Sequence, residues 1–315
     1  MPLMPRLRSR DDHRFFALHL PTTFIALLIL LSMLTVLVLY SLPILHREGL
    51  SVFTTNVWKA PENNPQGERY GLAAAIYGTL YTGLIALMVS TPLAVSLAVA
   101  IEEFVPRRLQ GLVSTLTDLM AATPTIIYGL WAMAYLAPLM LKVLSFLHRY
   151  LGWLPFFSQP PVTGYTIATA GVMLGIMSTP YAASVIREAY KMIPSHLREA
   201  AYSLGATRFE AIRLLLSTIK PSIIAALALA FARAVGETVA VSLVIGNSFT
   251  ISPSVTVPGY TISSLIAAQF PNAGFYKYMT SALFAGGLAL FFIGLVVNAV
   301  AVYYMRKWEE EIGHV

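Results

Sequence analysis

The sequence predicts an all-α integral membrane protein with six transmembrane helices. Three observations carry that prediction. Of the 315 residues, 57% are hydrophobic and only 11% are charged, against roughly 25% charged in an ordinary soluble protein. The mean hydropathy is +0.69. The charges are also segregated, leaving six long stretches almost free of them at 17–45, 71–101, 113–141, 165–186, 221–247 and 278–305. A helix needs about 20 mainly apolar residues to cross the hydrocarbon, so each stretch can span once. Strands of a membrane barrel would instead alternate over about 10 residues. The same composition excludes a soluble globule and a disordered chain. With no cysteine, disulfide scaffolds, thiol catalysis and Cys-based zinc sites are excluded as well.

The basic residues orient the spans. Arg6, Arg8, Arg10 and Arg14 lie in the N-terminal tail 1–16, and Arg107 and Arg108 follow the second stretch. Arg187, Lys191, Arg198, Arg208, Arg213 and Lys220 fill the loop 187–220, and Arg306 and Lys307 stand in the tail 306–315. The opposite loops hold only Arg47, Lys59, Arg69, Lys142, Arg149 and Lys277. Cytoplasmic loops carry the excess of Lys and Arg, so both termini are expected in the cytoplasm. The net charge of +6 is then topological, and no nucleic-acid partner is expected.

In chain order, 17–45 reads as an uncleaved signal anchor. Its apolar run is long and no small-residue cleavage site follows it. Pro61, Asn63, Asn64, Pro65 and Gly67 mark 46–70 as an external loop that separates this span from a five-helix core, 71–305. Thr91-Pro92, Thr123-Pro124 and Thr179-Pro180 each put proline inside an apolar run, where it removes a helix hydrogen bond and bends the helix. Gly171 and Gly175 form a Gly-x-x-x-Gly pair, a mark of close helix packing in membranes. Aromatic residues in 146–157 suit the headgroup level. The apolar run 262–268 is too short to span and reads as a re-entrant or interfacial element.

Several chemistries are missing. No Gly-x-x-x-x-Gly-Lys-Ser/Thr loop is present, so ATP is not bound through a P-loop, and no His-Glu-x-x-His occurs. The histidines at 13, 19, 46, 148, 196 and 314 are scattered. No catalytic set and no metal site are expected.

The loop 187–220 is the most informative segment. Leu197, Ala200, Ala201 and Leu204 recur at helical spacing, giving a short amphipathic helix stopped by Gly205, with a second helix from Thr207. Glu199-Ala200-Ala201, three residues and then Gly205 resemble the EAA motif of ABC-importer permeases. The chain departs from the usual Ile-x-Leu-Pro ending of that motif, with Leu215, Ser217 and Thr218 there and proline only at Pro221. Two further runs, Ala122 to Trp131 and Arg233 to Val241 leading to Ile245-Gly246-Asn247, resemble segments of phosphate permeases. With Ile76-Tyr77-Gly78-Thr79, they make about residues 70–305 similar to the PstC-type permeases of phosphate importers.

That resemblance implies a type I ABC importer permease fold in the cytoplasmic (inner) membrane and translocation of inorganic phosphate. It implies a heterodimer with a related second permease of the PstA type. It further implies two copies of a cytoplasmic ATPase that uses ATP and Mg, and an external phosphate-binding protein. It places the docking of the ATPase on the loop with Leu197, Glu199, Ala200, Ala201, Leu204 and Gly205. No cofactor is expected on this chain. A permease for another oxyanion, such as molybdate or sulfate, and a secondary transporter remain open readings.

Only Asp118, Arg233 and Glu237 break the apolar stretches. A charge at the bilayer centre costs roughly 2.5–3.5 kcal/mol on insertion scales and flags function. On one continuous helix, Glu237 and Asn247 would each lie about 40° from Arg233, forming a polar stripe. Such a stripe is either a self-satisfied ion pair or a substrate path, in which Glu237 holds Arg233 until phosphate competes for the guanidinium. Thr125 and Tyr128 are candidates for the same path. Asp118, near the cytoplasmic end of the third stretch, is either paired with a nearby Arg or part of the inner mouth.

Overall fold

A computed structural model describes residues 10–61 and 64–313. Residues 1–9 of the expected tail, with Arg6 and Arg8, lie outside the described residues, as do Asn63 and His314. The chain opens with the long helix α1 (Arg10–Glu48), the one-turn helix α2 (Ser51–Thr54) and a small antiparallel hairpin, β1 (Trp58–Lys59) and β2 (Arg69–Tyr70). α3 (Ala73–Val99) follows and continues into a π-helical turn, Ala100–Phe104. α4 (Arg107–Ala121) stands by itself, whereas α5 (Thr125–Trp131), a second π turn and α6 (Ala137–Leu151) make one helical rod. Next come α7 (Ile167–Lys191), α8 (Ser195–Ser203), α9 (Arg208–Thr218), α10 (Lys220–Gly236), the short α11 (Val239–Ser242), α12 (Ile262–Gln269) and α13 (Met279–Gly313).

Among the described residues five units are long and apolar enough to cross a membrane: Leu20–Glu48, Ala73–Phe104, Thr125–Leu151, Ile167–Lys191 and Met279–Trp308. A sixth is reached when α9 and α10, which meet at a bend of 71°, are taken together as one broken span.

α3, α7 and α10 form the centre. Their contacts are built from small residues, Ala94 and Ala98 against Ala182, Ala183, Ala226 and Ala230. Small side chains let membrane helices approach closely enough for dispersion to hold them. The Gly171/Gly175 pair does this against α3, where added β-carbons would come within 2.6 Å of Ile85 and Val89. α1 lies outside this centre. It packs on α13 at Ile44 and leaves Leu20, Phe24 and Ile29 more than half exposed, as a lipid-facing helix requires.

Two expectations are corrected. The third span is Thr125–Leu151 instead of 113–141, because the chain turns at Ala122-Thr123-Pro124. The residue before a proline is pushed out of the helical region, so Thr123-Pro124 separates two helices and does not bend one. Pro92 and Pro180 do lie inside helices. The fifth stretch is likewise not one helix over 221–247. α10 stops at Gly236, and Glu237 is extended with φ −68° and ψ 130°.

The helix ends sort onto two faces. On one, Arg47 donates to the Pro65 and Gln66 carbonyls and lies over the Tyr278 ring. Glu68, buried beside them, accepts from the Tyr70 hydroxyl and from the Lys277 and Tyr278 amides. Burial pushes the Tyr70 phenol above its usual range, and the bond to Glu68 adds to this. On the other face lie the ends of α3 and α7 with α4, α8 and α9, and the start of α10, where Lys220 sits over the Trp308 ring of α13.

Candidate functional site

The break after Gly236 is a built feature. The Glu237 amide donates to the Ala234 carbonyl at 3.3 Å, a tightened last turn of the kind that ends helices. The part-buried Glu237 carbonyl accepts the Ser263 hydroxyl at 2.7 Å, from the first turn of α12. The Glu237 side chain accepts the Ala240 amide at 3.3 Å and so caps α11, as a carboxylate at a helix start does. Backbone polar groups in a membrane interior must find partners within the protein, and Ser263 with Glu237 supplies them.

Arg233 and Glu237 are therefore not an ion pair. Among the described residues no hydrogen bond or ion pair reaches Arg233. Its Nε is buried without a partner, and its guanidinium lies 5.7 Å from the Tyr181 ring centroid, at cation–π range. A buried donor left unsatisfied costs about 1–3 kcal/mol. The expected stripe is corrected at Asn247 as well. That residue has φ +50°, follows Gly246 at φ +86°, and donates to the Ser242 carbonyl at 2.9 Å. Asn tolerates this left-handed geometry better than most residues, so Asn247 closes a turn beyond α11 instead of sharing a helix face with Arg233.

The two runs singled out in the sequence do meet. α11 packs on α5 through Ala240 and Gly129, in a core with Met177, Ala234 and Val241. Thr125 opens α5. The Tyr128 hydroxyl donates to the Met120 carbonyl at 2.9 Å, at the end of α4. The Tyr128 ring lines a recess of about 380 Å³ with Met120, Thr123, Ile127, Trp131 and Ile176. That recess is apolar, so it suits packing against another apolar surface and not an anion.

Asp118 lies on α4, a 15-residue helix outside the spanning units. Its carboxylate is half exposed and stands 3.4 Å from Nη2 of Arg187, a side chain only 5% exposed. Glu188 approaches the same nitrogen at 3.3 Å. A cation this deeply placed needs such partners.

The 187–220 segment folds into two short helices. α8 ends in a Schellman motif: the Gly205 amide donates to the Tyr202 carbonyl and the Ala206 amide to the Ala201 carbonyl, with Gly205 at φ +82°. Thr207 and Glu210 form a capping box that starts α9. Ala201 is buried and Leu197 packs inward. Glu199 and Ala200 are exposed. Leu204 is 89% exposed, and Met192 and Phe209 of the same segment are 83% and 74% exposed. Unlike the spans, this apolar surface belongs to a polar, basic face.

Sequence reasoning missed Ser263, Gly129, Tyr181 and Arg187 as members of these sites. Gly129 lay inside a quoted run; the others act across distances along the chain that no local pattern reports. Among the described residues no group of three His, Asp or Glu stands close enough to hold a metal ion.

The chain belongs to the family of binding-protein-dependent transport system inner membrane components, whose profile matches residues 90–310. It is 47% identical over 315 residues to the probable phosphate transport system permease protein PstC of Methanocaldococcus jannaschii, covering all of this chain and 99% of that one. It is 36% identical over 275 residues to the phosphate transport system permease protein PstC of Xylella fastidiosa strain Temecula1, covering 86% and 83%. With the corresponding protein of Pasteurella multocida the identity is 34% over 313 residues, covering 98% and 93%. Among solved structures, two crystal forms of the inward facing MetNI methionine ABC transporter contain a similar chain. TM-scores are 0.51 and 0.52 at 19% and 17% identity, over 76% of this chain and 94% of that one. The fold is that of the type I ABC importer permeases, and the protein is a multi-pass membrane protein.

Proposed function

We propose that this chain is a permease subunit of an ATP-driven importer that carries inorganic phosphate across the cytoplasmic membrane. The observation that carries the reading is the full-length identity of 47% to a phosphate permease. An interior guanidinium with an unpartnered buried nitrogen at the break of α10 supports it. A guanidinium fork offers two parallel donors to two phosphate oxygens. Both termini lie on the cytoplasmic side, with 46–70 outside and 187–220 inside. The partners are a related second permease of the PstA type, two copies of a cytoplasmic ATPase and an external phosphate-binding protein. ATP and Mg are used by the ATPase. This chain holds no cofactor and performs no catalysis of its own.

In this reading α8 docks on the ATPase with Glu199, Ala200, Leu204 and Gly205. Closure of the ATPase pair moves 195–210 as a rigid body, and the spans open outward to accept phosphate. The test is affinity purification from membranes, followed by reconstitution with the co-purifying subunits and the binding protein in liposomes. Labelled phosphate should enter only with ATP and binding protein, and excess molybdate or sulfate should leave uptake unchanged. Competition by either oxyanion, or uptake that survives loss of the ATPase, overturns the proposal.

A further inference from the structure

The π-helical turn that ends α3 is tied to the α7–α9 segment chiefly at Glu103. This turn is π-helical over Ala100–Phe104, with the Val105 amide donating to the Ala100 carbonyl five residues back. The extra residue in such a turn rotates the following side chains relative to a regular helix. It also frees carbonyls, and the Gln110 side chain of α4 donates to those of Ile101 and Glu102. The Glu103 side chain is turned inward and is only 8% exposed.

Three elements converge there. Arg198 of α8 reaches the Glu103 carboxylate at 2.8 Å. The Tyr190 hydroxyl, at the end of α7, donates to the same oxygen at 2.8 Å. Arg208, opening α9, donates to the Glu103 main-chain carbonyl, and its guanidinium covers the Phe104 ring at 4.1 Å. A second, looser set runs parallel: Lys191 stands 3.8 Å from Glu102 and 3.1 Å from Glu188. The first of these is long and the second is exposed on both sides, so neither fixes a geometry. The Glu103 contacts differ, because a buried carboxylate with charge-assisted donors holds its geometry more tightly.

We infer that Glu103 is a positioning residue for coupled transport, the point at which movement of α8 is passed to α3. α8 also meets the rest of the chain through Ala201 and Leu197, apolar contacts that have no preferred direction. The Arg198–Glu103 pair is directional. α3 is in turn locked to α7 by the Gly171 and Gly175 contacts, so a pull on its end reaches the centre of the bundle. This inference rests on the permease reading above.

The test uses the complete complex in liposomes, with phosphate uptake and ATP hydrolysis measured on the same sample. Glu103→Gln, Arg198→Gln and the double variant form a cycle. The expected result is a fall of roughly tenfold in phosphate carried per ATP for each single variant, within the usual range of coupling between two sites. The double variant should be no worse than either. A wild-type ratio in Glu103→Gln, or losses that multiply in the double variant, overturns the inference. If Glu103→Gln does not assemble, the more exposed Arg198→Gln decides in the same way, a wild-type ratio again overturning it. Failure of the wild-type complex to take up phosphate would overturn the permease reading itself, so the two failures are distinguishable.

Discussion

Gly129 and Ala240 are in direct backbone contact: a β-carbon on Gly129 would stand 2.8 Å from the Ala240 α-carbon and 2.9 Å from Cδ1 of Leu243. This single approach joins α5 to α11, and with it two of the sequence runs that carry the resemblance. Neither backbone can give way cheaply, because both are buried in a core with Ala234 and Val241.

Gly129→Ala should therefore destabilise the protein by about 1–3 kcal/mol, the usual cost of overpacking a tight contact. Gly129→Val should cost more. Thermal unfolding of the purified complex in detergent measures both, and an unchanged midpoint for the Val variant would mean that α5 and α11 separate freely.

Arg233→Gln should lower the initial rate of phosphate uptake at least tenfold, with subunit assembly intact, because removing one charge-assisted contact costs about 1.5–3 kcal/mol. Arg233→Lys should fall between, keeping the charge but losing the planar fork. Normal uptake by the Gln variant would remove Arg233 from the phosphate path. Glu237→Ala should act through stability, costing about 1 kcal/mol through loss of a cap. Glu237→Gln, which keeps an acceptor for the Ala240 amide, should melt like the parent.

Gly205→Ala should cost about 1–2 kcal/mol, all of it conformational. The position has φ +82° and open space around the would-be side chain, so strain in the left-handed region is the whole penalty. Gly205→Asn should recover most of it. The readout is ATPase retention on the immobilised complex, since α8 must end there to present Leu204; equal retention by Ala and Asn variants would contradict this account.

Glu68→Ala should lower the melting midpoint by the equivalent of about 1–3 kcal/mol, because it removes the charged acceptor of the part-buried Lys277 and Tyr278 amides at the start of α13. Glu68→Gln should lose less. Differential scanning fluorimetry of the complex distinguishes them.

The spans were legible because charge cannot be hidden in lipid, and the six gaps between charges follow from that alone. The α8 helix was legible too, since Leu197, Ala201 and Gly205 carry its face and its stop locally. The break after Gly236 was not. Residues 221–247 carry no charge apart from Arg233 and Glu237, and the Ser263 hydroxyl that completes the break by donating to Glu237 lies 26 residues away in sequence. Glu68 was hidden for the same reason, with partners 209 and 210 positions along the chain. The turn at Pro124 left a visible trace, because proline there is as well suited to starting a helix as to bending one. Composition could not choose between the two.

The break in α10 has an electrostatic consequence. A helix carries roughly half a negative charge at its C-terminus, and Arg233 stands in the last turn of α10. The guanidinium is thus balanced by a diffuse partial charge fixed in the backbone instead of by the Glu237 carboxylate. A full carboxylate would have to be displaced each time an anion arrived. Half a charge spread over several carbonyls holds the cation in place without occupying its donors, and under the proposed function an incoming phosphate would meet a guanidinium free to accept it and to release it.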